Sequence, residues 1–321
     1  MSDRKVQTVI IKEEDMDVDA IYTFYIKRAL LKSVLVLSAF LLLWILASST
    51  LGVSQAIAED KQPFDRVLSI GGSITEIVHA LGEEDRLVAR DTTSLYPKKA
   101  LNLPDVGYIR RLSAEGVLSV RPDLILALEG SGPPETMDAL EAANIPIVMV
   151  DEGYTAEAIT AKIRTVGKAL GVHKKAEMLV AETSEKLIAV LKAGKNISVP
   201  KKVLFVLTER GGRIMAAGAE TAAASIIDLA GAENVFSHIS GYKQIADEAI
   251  ISAQPEVILM MEPVGGHGKS DDEILNHPAI AATPAGEKAR IVRMDGLLLL
   301  GFGPRTSIAV TELRYALSEL N

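Results

Sequence analysis

Two stretches constrain what this chain can fold into more than anything else in it. AEGVLSVRPDLILAL (114–128) and DEAIISAQPEVILMM (247–261) share one plan: a helix-start glutamate, a proline seven positions later, then an apolar run of strand length. Glu115 thus corresponds to Glu248, and Pro122 to Pro255. Two further matches stand in the same order. ITEIVHALGEEDRLV (74–88) matches SIIDLAGAENVF (225–236), each an amphipathic helix closed by a glycine and leading into a strand. NIPIVMVD (144–151) matches KARIVRMD (288–295). Three ordered matches point to an internal duplication.

The runs between these matches complete an α/β pattern. RVLSI (66–70), RLVAR (86–90), DLILAL (123–128), PIVMV (146–150), KVLFVL (202–207), EVILMM (256–261) and ARIVRM (289–294) read as short strands separated by helical segments. From Thr155 to about Ala193 there is no proline and no strand-like run. Gly171 should break this stretch into a shorter helix and a longer one at 173–193. A helix makes a stiff connection, unlike a Gly/Ser linker. The expected fold is α/β, with two lobes of mostly parallel sheet joined by one long backbone helix and a cleft between them. The domain plan places the N-terminal extension at 1–58, one lobe at 59–152, the connecting helices at 153–195 and the second lobe at 196–321.

The N-terminal extension reads as an address. Residues 34–47 are an uncharged, mostly apolar run of fourteen, preceded by Lys27, Arg28 and Lys32 and followed by Ala56-Ile57-Ala58. That order describes a cleavable secretory signal peptide. There is no cysteine, which removes disulfides, thiolate metal sites and the residue a lipid anchor would need. The expectation is therefore export to a Gram-negative periplasm as a soluble protein, not a lipoprotein. A net charge of −8 and a pI near 5.3 speak against a nucleic-acid ligand.

No catalytic set emerges. The histidines show no HExxH or HxxxH spacing. The Gly268-Lys269-Ser270 stretch fails as a phosphate loop, because Pro263 stands where the first glycine belongs. The chain is read as a binding protein rather than an enzyme.

TSLYPKKALNLPDVGYIRRLSAEGVLSVRPDLI (93–125), MAAGAETAAASIIDLAGAENVF (215–236) and GFGPRT (301–306) resemble the periplasmic substrate-binding proteins of ABC importers for haem, cobalamin and ferric siderophores. Within that group the chain looks most like the haemin binders. The resemblance implies that Tyr96, in SLYPKK, gives its phenolate to the ferric iron of haem b, which is the transported ligand. Tyrosine is an established haem-iron ligand. A free phenol ionises only near pH ~10 and is helped by a nearby cation; Lys98 is the local candidate, and an arginine from the other lobe could serve. Arg305, in GFGPRT, could hold a propionate by a bidentate pair or serve the structure. Arg213 is a weaker candidate for the same work. His267, in the glycine-rich loop after strand 256–261, is a candidate sixth ligand or a solvent-exposed loop residue. Glu115 and Glu248 open equivalent helices, where the helix dipole favours a carboxylate. The resemblance implies that they dock on an inner-membrane ABC permease dimer. A monomer is expected. The same fold binding cobalamin or a ferric siderophore, and a periplasmic α/β enzyme built around the Tyr96 loop, are the alternatives.

Overall fold

The central apolar runs, VLSI (67–70), LILAL (124–128) and VILMM (257–261), become strands because they are buried on both faces, as parallel sheets require. The computed structural model describes residues 64–194, 199–263 and 268–320. The signal-peptide region and His267 lie outside the described residues. The first half runs β1 (Val67–Ile70), α1 (Gly72–Ala80), β2 (Leu87–Arg90), α2 (Ala114–Ser119), β3 (Leu124–Leu128), α3 (Pro134–Ala142) and β4 (Ile147–Val150). Its sheet is wholly parallel, in the order β2-β1-β3-β4.

Two helices follow, α4 (Ala156–Ala169) and α5 (His173–Gly194). The break expected at Gly171 is present, with φ 75° at that glycine. Gly167 lets the two helices cross closely, since a Cβ there would lie 2.2 Å from the Cβ of Ala176. With 22 residues, α5 spans about 33 Å. Its buried face is formed by Ala176, Val180 and Leu187, with Thr183 among them.

The second half runs β5 (Lys202–Arg210), β6 (Arg213–Ala217), α6 (Ala222–Leu229), β7 (Glu233–Asn234), β8 (Tyr242–Ile245), α7 (Asp247–Ala253) and β9 (Val257–Met261). Three short helices follow, α8 (Asp271–Leu275), α9 (Pro278–Ala281) and α10 (Pro284–Glu287). The chain ends with β10 (Ile291–Met294), α11 (Gly296–Leu300) and α12 (Thr306–Glu319). Parallel pairing in the order β7-β5-β9-β10 repeats the order of the first sheet.

The duplication extends to single residues. Arg121 (φ 48°) and Gln254 (φ 49°) turn the chain at the same place, one residue before Pro122 and Pro255. Asp123 accepts the backbone N–H groups of Asp65 and Arg66, both at 2.9 Å. In the second half Glu256 accepts the N–H of Lys202 at 3.0 Å. Each carboxylate thus ties down the start of the first strand of its sheet.

The halves also differ in ways that the sequence reading did not anticipate, the three short helices before β10 among them. β6 and β8 extend the second sheet by antiparallel pairing, β5 to β6 and β6 to β8. The turn between β5 and β6 is Gly211-Gly212, both with positive φ, a hairpin connection that glycine adopts without steric cost. One core of buried residues runs through both sheets, from Val67 and Leu124 by way of Ile163 and Leu187 to Phe205, Leu259 and Leu313. The connecting helices are therefore part of the core.

Candidate functional site

Ligands of open α/β sheets bind outside the carboxyl ends of the strands. Tyr96 stands there, six residues past the end of β2, with 41% of its surface exposed. The loop carrying it is fixed by a buried carboxylate. Asp91 is fully buried, and its Oδ1 accepts from the Gly71 N–H at 2.9 Å and from Ser94 Oγ at 2.6 Å. Its Oδ2 accepts from the N–H and the hydroxyl of Thr93, at 2.9 and 2.6 Å. The hydroxyls of Ser94, Thr75 and Ser69 continue inward at 2.6 and 2.7 Å. All of these groups are satisfied, as a buried polar chain must be to stiffen its surroundings. One aspartate therefore locks the β1–α1 turn to the Tyr96 loop.

The neighbouring loop is bound to the first. Thr92 donates its N–H to the Gly107 carbonyl at 2.9 Å and its hydroxyl to Asp105 at 3.1 Å. This places a second exposed aromatic, Tyr108, on the same rim, with the Arg111 guanidinium 5.9 Å from its ring centre.

The second half reaches the site through the segment between α11 and α12. The Arg305 guanidinium carbon lies 3.4 Å from the Tyr96 ring centre, a close cation–π contact. Its Nε and Nη2 donate to Glu76 Oε2 at 2.9 and 2.8 Å, and its backbone N–H donates to Glu76 Oε1 at 3.0 Å. Burial raises the Glu76 carboxyl above the usual carboxylate range, and the bonds from Arg305 oppose that rise. Next to this, Phe302 packs edge-on against Tyr154, with ring centres 5.2 Å apart. Burial and the adjacent Glu152 carboxylate push the Tyr154 phenol up. Burial likewise raises Tyr242, on β8. Lys162 of α4 is 2% exposed, and burial lowers its ammonium to about 8 against a weaker pull from Glu152.

Of the residues expected at the site, the structure brings Tyr96 and Arg305 together. Lys98 is exposed at the start of the 3₁₀ turn Lys98–Asn102 that follows Pro97. Arg213 is exposed on the β5–β6 hairpin, opposite Arg210, and among the described residues no contact joins it to Tyr96. Glu115 and Glu248 are exposed, each the second residue of its helix, α2 and α7. His277 is structural. It is 7% exposed, its Nδ1 accepts from the Ala279 N–H at 3.3 Å, and its Nε2 meets the Gly212 carbonyl at 3.1 Å. Among the described residues no cluster of His, Asp and Glu could hold a metal ion. Glu76 is the residue the sequence reading missed; its only signal there is an acid amid the apolar residues of ITEIVHA.

Residues 67–297 match the periplasmic binding protein family. The chain belongs to that family. Its two-lobed α/β architecture is the one shared by solved structures of the group. The periplasmic heme-binding protein BhuT, in complex with two hemes, is 39% identical, with a TM-score of 0.74 over 79% of this chain and 98% of that one. The Vibrio parahaemolyticus vitamin B12-binding protein is 29% identical over 66% of this chain and 74% of its own. The Bacillus subtilis (strain 168) ABC transporter substrate-binding lipoprotein YvrC is 27% identical over 81% of this chain and 82% of its own. All three are named for binding, which favours a non-catalytic role.

YvrC also corrects one expectation. The placement free in a Gram-negative periplasm, and not as a lipoprotein, is overturned by a relative of this extent that is a lipoprotein. The error was to pass from a missing side chain to a compartment. The binding fold works equally well tethered or free, so its presence does not decide between them.

Proposed function

We propose that this periplasmic binding protein captures haemin between its two halves and passes it to an ABC permease dimer. The Tyr96 phenolate would be the protein's ligand to the ferric iron. The observation that carries the reading is the setting of Tyr96. An exposed phenol stands at the strand carboxyl ends, on a loop locked by Asp91 and with a guanidinium against its ring. A phenolate oxygen is a hard anionic donor suited to ferric iron. The fixed loop lowers the ordering cost of binding. Lys98, exposed, is the proposed cation that favours the phenolate, Arg213, also exposed, is a proposed partner of a haem propionate, and His267 is the proposed approach to the open face of the iron. The identity of 39% to a heme-bound relative supports haem as the ligand.

Titration of the purified protein with ferric haemin, beside Tyr96→Phe, tests the proposal. A saturable Soret shift with a high-spin charge-transfer band should appear, and the band should vanish in the variant. A saturable shift with an unchanged band in Tyr96→Phe would remove Tyr96 from the iron. The similarity to the vitamin B12-binding protein supports cobalamin as a second reading. Cyanocobalamin that binds saturably where haemin does not would establish it instead.

A further inference from the structure

The carboxylate of Glu76 is given over to one residue from the other half of the molecule. It is 5% exposed on α1, and both oxygens accept from Arg305, at the backbone N–H, Nε and Nη2. The neighbouring backbone leaves it little room. A Cβ at Gly303 would lie 3.2 Å from Glu76 Oε1. The Nε–Nη2 edge of Arg305, one of the two that could grip a ligand carboxylate in a bidentate pair, is thereby committed to Glu76. Nη1 keeps its donors, but the plane is set by Glu76, and its flat face lies 3.4 Å from the centre of the Tyr96 ring.

We propose that Glu76 is a positioning residue for Tyr96, acting through Arg305: it fixes the guanidinium plane, and that plane fixes the ring. The assignment rests on the Tyr96 reading for its meaning in ligand capture, but the positioning itself is a property of the free protein. Breaking a buried pair by removing one charge leaves the other uncompensated. Glu76→Gln therefore frees Arg305 to swing, and the ring loses its platform. The pair also joins α1 of the first half to the start of α12 of the second, so the ring's setting depends on how the halves sit together.

The test has two arms. In the free protein, carrying ring-labelled tyrosine, the Tyr96 NMR signal is assigned by its loss in Tyr96→Phe. Glu76→Gln should shift and broaden that signal while leaving those of Tyr108 and Tyr315 in place. An unmoved Tyr96 signal overturns the proposal whether or not haemin binds. In the second arm haemin affinity is measured for Glu76→Gln, Tyr96→Phe and the double variant. Glu76→Gln should weaken binding about tenfold alone and less than twofold in the Tyr96→Phe background, because the effect runs through that ring. An equal loss in both backgrounds would make Glu76 merely structural. Tyr96→Phe binding haemin as tightly as the parent would instead defeat the functional reading, and leave the NMR arm to decide on Glu76.

Discussion

Gly72 and Leu297 meet where the two halves touch: a Cβ on Gly72 would lie 2.4 Å from Leu297 Cδ1 and 2.7 Å from the Thr93 carbonyl oxygen. Leucine can turn aside, but a backbone carbonyl in the loop that carries Tyr96 cannot. Alanine is the better helix former by about 0.5–1 kcal/mol, and that gain is smaller than the cost of overpacking, about 1–3 kcal/mol. Gly72→Ala should therefore lower the urea midpoint and weaken haemin binding together. Leu297→Ala in the same chain should recover only part of the stability, because the clash with Thr93 remains. Full recovery would show that the loop gives way and that Leu297 alone was the obstacle.

Lys162 gives a stability change with a definite sign. Its side chain is 2% exposed, and its ammonium is lowered from 10.5 to about 8. Below pH 8 the lysine is charged in both folded and unfolded chains, and the burial cost is constant. Between 8 and 10.5 the unfolded chain holds a proton that the folded chain has released, so stability from this group rises with pH through that window. Lys162→Met removes the group. It should stabilise the protein near pH 7, by at most about 3 kcal/mol, with the advantage closing as the pH approaches 10.5. Urea midpoints of both proteins at pH 7, 8.5 and 10 check this. A gap that stays constant across the three would mean that Lys162 keeps its charge when buried.

The strands and their duplication were legible because they rest on local signals, apolar runs of four to six residues and repeated Glu-to-Pro spacing. Asp123 and Glu256 show how deep that repetition goes, each holding a strand start through one carboxylate. β6 and β8 were not legible, since neither is a clean β-rich run: RIMAA ends in two alanines and YKQI holds two polar residues at its centre. The Gly211-Gly212 turn was their one usable sign. Tyr96 and Arg305 were each singled out, and an arginine of the other half was a candidate cation for Tyr96, but which arginine was not specified and Glu76 was passed over. Its bond to Arg305 joins residues 229 apart, and no periodicity reports a pairing of that range.

Arg314 should prove a stability residue rather than a binding one. From α12 it donates to the carbonyls of Val190, Leu229 and Ala230 at 2.9, 3.0 and 3.3 Å. Val190 lies near the end of α5, and Leu229 and Ala230 close α6, helix ends where a cation is favoured; the last carbonyls of α6 lack partners within the helix. Arg314→Met keeps the apolar stem and loses three charge-assisted bonds. The expected cost is about 2–3 kcal/mol, read as a lower urea midpoint with an unchanged m-value, and haemin affinity should stay within twofold. A large loss of affinity would show that the end of α5 communicates with the Tyr96 loop.

The proposed permease dimer would meet the paired glutamates with matching symmetry. Glu115 and Glu248 are exposed at the second position of α2 and α7, and one turn on each helix shows an exposed apolar side chain, Leu118 at 37% and Ile251 at 38%. The duplication thus presents the same acidic and apolar pair twice, as a two-fold permease dimer would require. Helix-start preference accounts for the two acids but not for the apolar companions. The double variant Glu115→Lys/Glu248→Lys should fold normally, since exposed substitutions of this kind usually cost within about 0.5 kcal/mol. It should bind haemin within twofold of the parent. Stimulation of permease ATPase activity and haemin transfer should both be lost, and either single reversal should lose less. Intact stimulation in the double variant would assign these glutamates to their helices alone, whereas lost haemin binding would place them in ligand capture.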